Sequence, residues 1–176
     1  MITTQSINQL AAFSRQDGVY TALYWAAGFI AAMLAPREPA LGMASDLVIL
    51  GTPFFLGWRL KEFRDGALDG HVSFRRAWLY CMETLLNAAL VLGVVQYLYF
   101  RFGDVSGFLA QWQEGYKMAA QAYHLTPEQT RLMTDTVTGL TPLAWASMFL
   151  LIETGAGAAL APILALVLRR QGANSQ

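Results

Sequence analysis

Two carboxylates, Glu83 and Glu153, stand inside long apolar runs of this chain. An acidic side chain at the centre of a bilayer costs about 2.5–3.5 kcal/mol on insertion scales, so such residues face partners or water. Asn87 lies one helical turn beyond Glu83 on the same face, and Thr84 is its neighbour. Counting along the runs brings Asn87 to about the depth of Glu153. The spacing therefore predicts a polar cluster of Glu83, Thr84, Asn87 and Glu153 between two helices. One chemistry for it is a proton or cation site shared by the two carboxylates. The other is interhelical hydrogen bonding, at about 0.6 kcal/mol or a little more per contact. The second is favoured, because no second acidic pair and no glycine-broken half-helix supplies a pathway.

A second group is basic. Arg59, Lys61, Arg64, Arg75 and Arg76 form a rim between two apolar runs. Its ordinary role is to set topology. A functional role would be contact with anionic lipid headgroups or an acidic partner, at up to ~1 kcal/mol per charge. Asp46 reads as an interfacial cap or a snorkelling residue. His71 and His124 fall on opposite sides of the expected membrane and cannot share a metal. The single cysteine, Cys81, excludes an internal disulfide and a cysteine metal cluster. The motifs of zinc proteases, serine hydrolases and phosphate-binding loops are missing. His124 with Asp135 is the one external acid/base candidate, with no nucleophile placed beside it. No cofactor, no metal and no enzymatic activity are expected.

The elements that position these residues follow from hydropathy. Of 176 residues, 55% are hydrophobic and 14% charged, with mean hydropathy +0.37. A soluble domain carries about 25% charged residues, so the deficit points to a bilayer as solvent. Apolar stretches cover about 18–35, 43–58, 77–100 and 140–168. A span needs about 20 apolar residues to cross ~30 Å of hydrocarbon. Two stretches meet that length, and two lie near its lower limit. The first is too long for a signal-peptide core and ends at Pro36, a poor cleavage point, so it reads as a retained anchor. Residues 1–17 are polar, with a weak apolar spacing (Ile7, Leu10, Phe13) that suits a short surface helix.

Local signals mark the boundaries. Pro36 and Pro39 separate the first two helices, and Pro53 predicts a kink in the second. Asp65-Gly66 and Asp69-Gly70 both read as turns, followed by Ser73 as an N-cap. Residues 104–138 form the one sizeable segment between spans. In it Phe108, Trp112, Tyr116, Ala119 and Tyr123 make an amphipathic stripe suited to a membrane interface. Thr126-Pro127-Glu128-Gln129 is a capping-box start for a helix over 127–138, stopped by Gly139. Gly155, Gly157 and Ala161 suit close helix packing, within the chain or between copies. Basic residues are denser on the side of the termini and the 59–76 hairpin, which places both termini in the cytoplasm and 104–138 outside.

Three segments carry a family resemblance. Phe63-Arg64-Asp65-Gly66-Ala67-Leu68-Asp69-Gly70-His71-Val72-Ser73-Phe74-Arg75-Arg76-Ala77 resembles the signature hairpin of a bacterial membrane family, domain-of-unknown-function family 4199 (DUF4199). Tyr97-Leu98-Tyr99-Phe100-Arg101-Phe102 is similar to its aromatic exit from the third span, and Leu125-Thr126-Pro127-Glu128-Gln129 to the start of its external helix. The chain departs from the pattern after the third span, where Gly103-Asp104-Val105 replaces an Asp-Pro. The resemblance implies a four-span inner-membrane protein with no assigned activity, and it supplies no catalytic residues.

The expectation is thus an all-α, four-transmembrane-helix bundle forming one integral membrane domain over 1–176, with an extracytoplasmic amphipathic helical segment between spans three and four. Its leading function is a non-enzymatic membrane subunit or scaffold in the bacterial inner membrane. Its contacts would be with the lipid bilayer, with further copies as a homo-oligomer, or with a membrane-protein partner, and not with nucleic acid. The second reading is a small transporter or channel, with proton linkage as one form of it, that uses the intramembrane carboxylates.

Overall fold

The computed structural model describes residues Thr4–Arg170, with side chains from Ile7 onward. The outermost residues of the expected 1–176 domain lie outside that range. The described chain is all-α. Its helices are α1 (Thr4–Leu34), α2 (Pro39–Ala67), α3 (Phe74–Phe102), α4 (Ser106–Ala122), α5 (Pro127–Thr138) and α6 (Pro142–Leu168). The central helix is α3: α1 and α6 pack along it, while α2 packs chiefly on α1.

Lipid is as apolar as leucine, so packing between spans rests on close fit rather than on expulsion of water. The buried face of α3 shows this. Ala77, Cys81, Thr84, Ala88 and Ala89 are small and recur at helical spacing. Gly18 of α1 meets that face so closely that a Cβ there would lie 2.6 Å from Asn87 Cβ and 3.2 Å from the Thr84 carbonyl oxygen. On the other flank a Cβ at Gly157 of α6 would touch Leu85 at 3.1 Å. Of the small residues expected to pack in α6, Gly157 and Ala161 are buried, whereas Gly155 is exposed and has no atom within 4 Å of an added Cβ.

The boundary signals resolve differently. Ser73 caps α3 by accepting from the Arg76 N–H at 3.4 Å, and Thr141 caps α6 from the Ala144 N–H at 3.2 Å. The Thr126 capping box is complete, and α5 covers the expected residues. Two expectations are corrected. The polar leader is no separate surface helix, because α1 runs unbroken from it into the apolar stretch. Asp65-Gly66 is no turn, because α2 continues to Ala67; only Asp69-Gly70 turns the chain, both with positive φ. The turn is then held by paired hydrogen bonds between Val72 and Arg170 at the far end of α6.

Three helices, α2, α3 and α6, are long and apolar enough to cross a membrane by length and composition. Four spans were expected. The expected first span, in α1, is not among these three, and its helix carries Arg15, Gln16 and Asp17 ahead of the apolar stretch. The stripe on α4 is turned inward rather than laid on a surface. Phe108 is buried against Phe100 and Trp145 at ring separations of 5.2 and 5.0 Å, and Trp112 packs on Trp145 at 5.4 Å. Tyr116 follows on Trp112, whereas Tyr123 stays exposed. At the start of α4, Asp104 accepts from the Ser106 hydroxyl (2.6 Å) and N–H (3.1 Å). Those donors, with Arg37 at 3.1 Å, hold its carboxyl below the usual carboxylate range.

Candidate functional site

Glu83 and Glu153, the two carboxylates of the apolar runs, are not in one cluster. Glu83 reaches across to α1, where its Oε2 accepts from the Ser14 hydroxyl at 2.8 Å. Asn87 also faces α1, at Gly18. Glu153 lies far from both, toward the α4 end of α3, where its Oε1 accepts from Gln96 Nε2 at 2.6 Å. The expected site of Glu83, Asn87 and Glu153 therefore separates into an α1–α3 contact and an α3–α6 contact. Counting residues from the edge of an apolar run placed Asn87 opposite Glu153. The antiparallel packing of α6 puts Gln96 there instead, and a lone amide in the run from Leu92 to Leu98 was its signal.

The basic rim divides as well. Arg59 is engaged within the protein: its Nε donates to Asp17 Oδ1 at 2.8 Å, and its second guanidinium nitrogen binds the same oxygen. The guanidinium also lies over Tyr20 and Trp58, 5.1 and 5.2 Å from their ring centroids. The Tyr80 hydroxyl donates to the other oxygen of Asp17. Asp17 is 1% exposed and joins α1, α2 and α3 through these bonds. It was read only as part of the leader, because its partners are distant in sequence. Arg64 is buried, with a two-pronged pair to Asp65 (2.7 and 3.0 Å) and a bond to the Leu168 carbonyl at 3.3 Å. Arg76 donates to Gln9 Oε1 at 3.1 Å and lies over the Phe63 ring. Lys61 and Arg75 are exposed.

His71 Nδ1 donates to the Asp69 carbonyl oxygen at 2.8 Å within its own turn. His124 and Asp135 line one depression between α4 and α5, where Arg131 stands 3.6 Å from the Asp135 carboxylate. No group of three potential metal ligands occurs among the described residues. Asp46 is exposed in the first half of α2 and has no capping role there, since Glu38 precedes the helix.

A cavity of about 950 Å³ lies in the α4 half of the bundle. Its walls are α1 (Trp25, Phe29), α2 (Val48, Thr52) and α6 (Ile152, Leu160), its floor is α3, and α4 covers one end through Trp112 and Tyr116. It exists because α2 meets α6 only near the chain ends, where Leu164 and Leu168 lie beside Gly57 and Arg64 reaches Leu168. Toward α4 the two helices are held apart. There α2 is fixed to α1 instead: the Tyr24 hydroxyl donates to the Val48 carbonyl at 2.9 Å and Trp25 Nε1 to the Thr52 hydroxyl at 3.0 Å. Gly51 leaves room for the Tyr24 hydroxyl, which would lie 2.3 Å from a Cβ. Ile49 and Ile152, on opposite walls, are 65% and 56% exposed, so the cavity opens sideways between α2 and α6. Gln96 and Glu153 supply polar groups to an otherwise chiefly apolar lining.

An all-α chain with three helices long and apolar enough to cross a bilayer is compatible with a membrane protein. The family model described as "Protein of unknown function (DUF4199)" matches residues 16–170, and the chain belongs to that family. No curated protein and no solved structure matches it.

Proposed function

We propose that the protein is a four-span, non-enzymatic subunit or scaffold of the bacterial inner membrane that works by holding one lipophilic molecule of the bilayer in the cleft between α2 and α6. The single observation that carries the reading is the cavity. About 950 Å³ is at the upper end of the ~300–1,000 Å³ range of small-molecule sites. It opens where α2 and α6 would face acyl chains, so a guest enters without crossing water.

In this reading α1 is the fourth span. Its stretch from Gly18 to Leu34 packs along α3 and turns Leu23, Ile30 and Leu34 outward. Tyr20 and Trp58, gathered around Arg59, mark one interface, as such aromatics do. The excess of arginine at that end supports cytoplasmic termini, with α4 and α5 outside, closing the cleft from above. Outward Met43, Leu47, Leu50 and Phe54 on α2 meet lipid, another copy or a membrane-protein partner.

The transporter reading draws on Glu153 at the cavity wall. The separation of Glu83 from Glu153 weighs against it, because a proton path needs titratable groups within reach of one another along the span.

The test uses the protein isolated in lipid nanodiscs and native mass spectrometry. The wild type is expected to retain one lipid mass after stripping of the surrounding lipid. Gly115→Trp, at a cavity-lining position with no atom within 4 Å of an added Cβ, fills the space without a backbone clash and is expected to lose that mass. A wild type that strips bare, or a variant that keeps the guest equally well, would contradict the reading.

A further inference from the structure

The cavity's polar residues say what kind of molecule fits it. Gln96 is 1% exposed and Glu153 half-buried, and both belong to the cavity lining. Their mutual hydrogen bond uses Gln96 Nε2 and Glu153 Oε1. It leaves Gln96 Oε1 and Glu153 Oε2 buried and without a hydrogen-bond partner in the protein. A buried polar atom left without a partner costs much of its desolvation penalty, so such atoms are satisfied by a ligand or water wherever one can reach them. The terminal torsions of Gln and Glu are broad. Rotation about these torsions alone can present either oxygen to the adjoining cavity.

Gln96 Oε1 is an acceptor, so the guest must donate to it, whereas Glu153 Oε2 accepts when the carboxyl is ionised and donates when it is protonated. A hydroxyl satisfies both, since it donates to the amide oxygen, either donates to or accepts from the carboxyl, and brings no charge into the apolar chamber. The rest of the lining asks for hydrocarbon and aromatic contact: Trp25, Phe29 and Phe149 around the body of the guest, and Ile49 and Ile152 at the opening.

We infer that the cleft between α2 and α6 selects a lipophilic alcohol, its hydrocarbon body in the cavity and its hydroxyl hydrogen-bonded to the Gln96–Glu153 pair. This inference rests on the proposed lipid-holding role and adds the chemical class of the guest.

The test is photolabelling in nanodiscs with two probes, 1-octadecanol bearing a mid-chain diazirine and its methyl ether. The ether has the same chain but cannot donate. Labelled peptides are mapped by mass spectrometry. The alcohol is expected to label the peptides containing Trp112 and Ile152 about tenfold more strongly than the ether, the size of one lost buried hydrogen bond. In the paired substitution Gln96→Leu/Glu153→Leu the preference is expected to vanish while ether labelling persists, which shows the cleft still folded. Should ether labelling collapse in that variant, Glu153→Gln, which retains a hydrogen-bonding side chain of the same shape, serves as the folded reference, and its preference is expected to persist. Equal labelling by both probes in the wild type would overturn the inference and leave the lipid-holding reading standing. Absence of label from the cavity wall with either probe would overturn both.

Discussion

Asp17→Leu is expected to destabilise the protein by about 3–5 kcal/mol, the cost of removing one partner from a buried pair. The carboxylate is 1% exposed and is bound by Arg59 on α2 and Tyr80 on α3. Its loss strands a guanidinium that is only 16% exposed and a fully buried phenol hydroxyl at the junction of three helices. The reverse experiment distinguishes a bad contact from a missing one. Replacing all three partners by apolar groups of similar size, Asp17→Leu/Arg59→Met/Tyr80→Phe, removes the stranded groups along with the bonds. The triple variant is expected to recover most of the stability lost by the single one, measured by steric trapping or thermal denaturation in the same nanodiscs. A single variant within 1 kcal/mol of wild type would show that the Asp17 network does not hold α1 to α2 and α3.

The second large effect concerns shape alone. Gly18→Leu is expected to cost about 1–3 kcal/mol or more, as overpacking at a tight contact does. The first atom added would already lie 2.6 Å from Asn87 Cβ, and the neighbouring Thr84 oxygen belongs to the backbone and cannot rotate away. The helices α1 and α3 must then separate, which also disturbs the adjacent bond between Ser14 and Glu83. Gly155→Ala is the matched control. Nothing lies within 4 Å of its added Cβ, and glycine in a helix interior is destabilising by roughly 0.5–1 kcal/mol relative to alanine. The two substitutions should therefore move stability in opposite directions. A common direction would mean that the α1–α3 contact is looser than the Gly18 geometry states.

Signals confined to a few residues were legible in the sequence. The caps at Ser73 and Thr126 depend on a hydroxyl and an N–H three residues away, and each forms where its pattern places it. The glycines that pack helices were half legible. Gly157 and Gly155 look alike in sequence, but only Gly157 meets Leu85, because helix rotation about its own axis decides which small residue faces a neighbour. The continuity of α1 was not legible from hydropathy. A helix's own hydrogen bonds are indifferent to whether its residues are polar, and Asp17 is kept in the bundle by partners 42 and 63 residues distant.

The candidate site shows the same division. That Glu153 must have a partner follows from its burial in an apolar run, and it has one. Which residue that is follows from the antiparallel register of α3 and α6, and hydropathy fixes depth only to within a turn or two. Gln96, an uncharged amide, is a weaker signal in an apolar run than Glu83, although it lies opposite Glu153 and is the more deeply buried. The cavity itself has no sequence signature. It arises because α2 is tied to α1 by Tyr24 and Trp25 while α6 is committed to α3.

The most direct measurement is an electron cryomicroscopy map of the protein in nanodiscs of native lipid, sharp enough to separate side chains on α2 and α6. The expected map shows an elongated density between the two helices, bounded by Ile49 and Ile152 at the opening and ending beside Gln96 and Glu153. A map in which α2 closes onto α6 along its whole length, leaving no space beside that pair, would contradict the role proposed for the cleft.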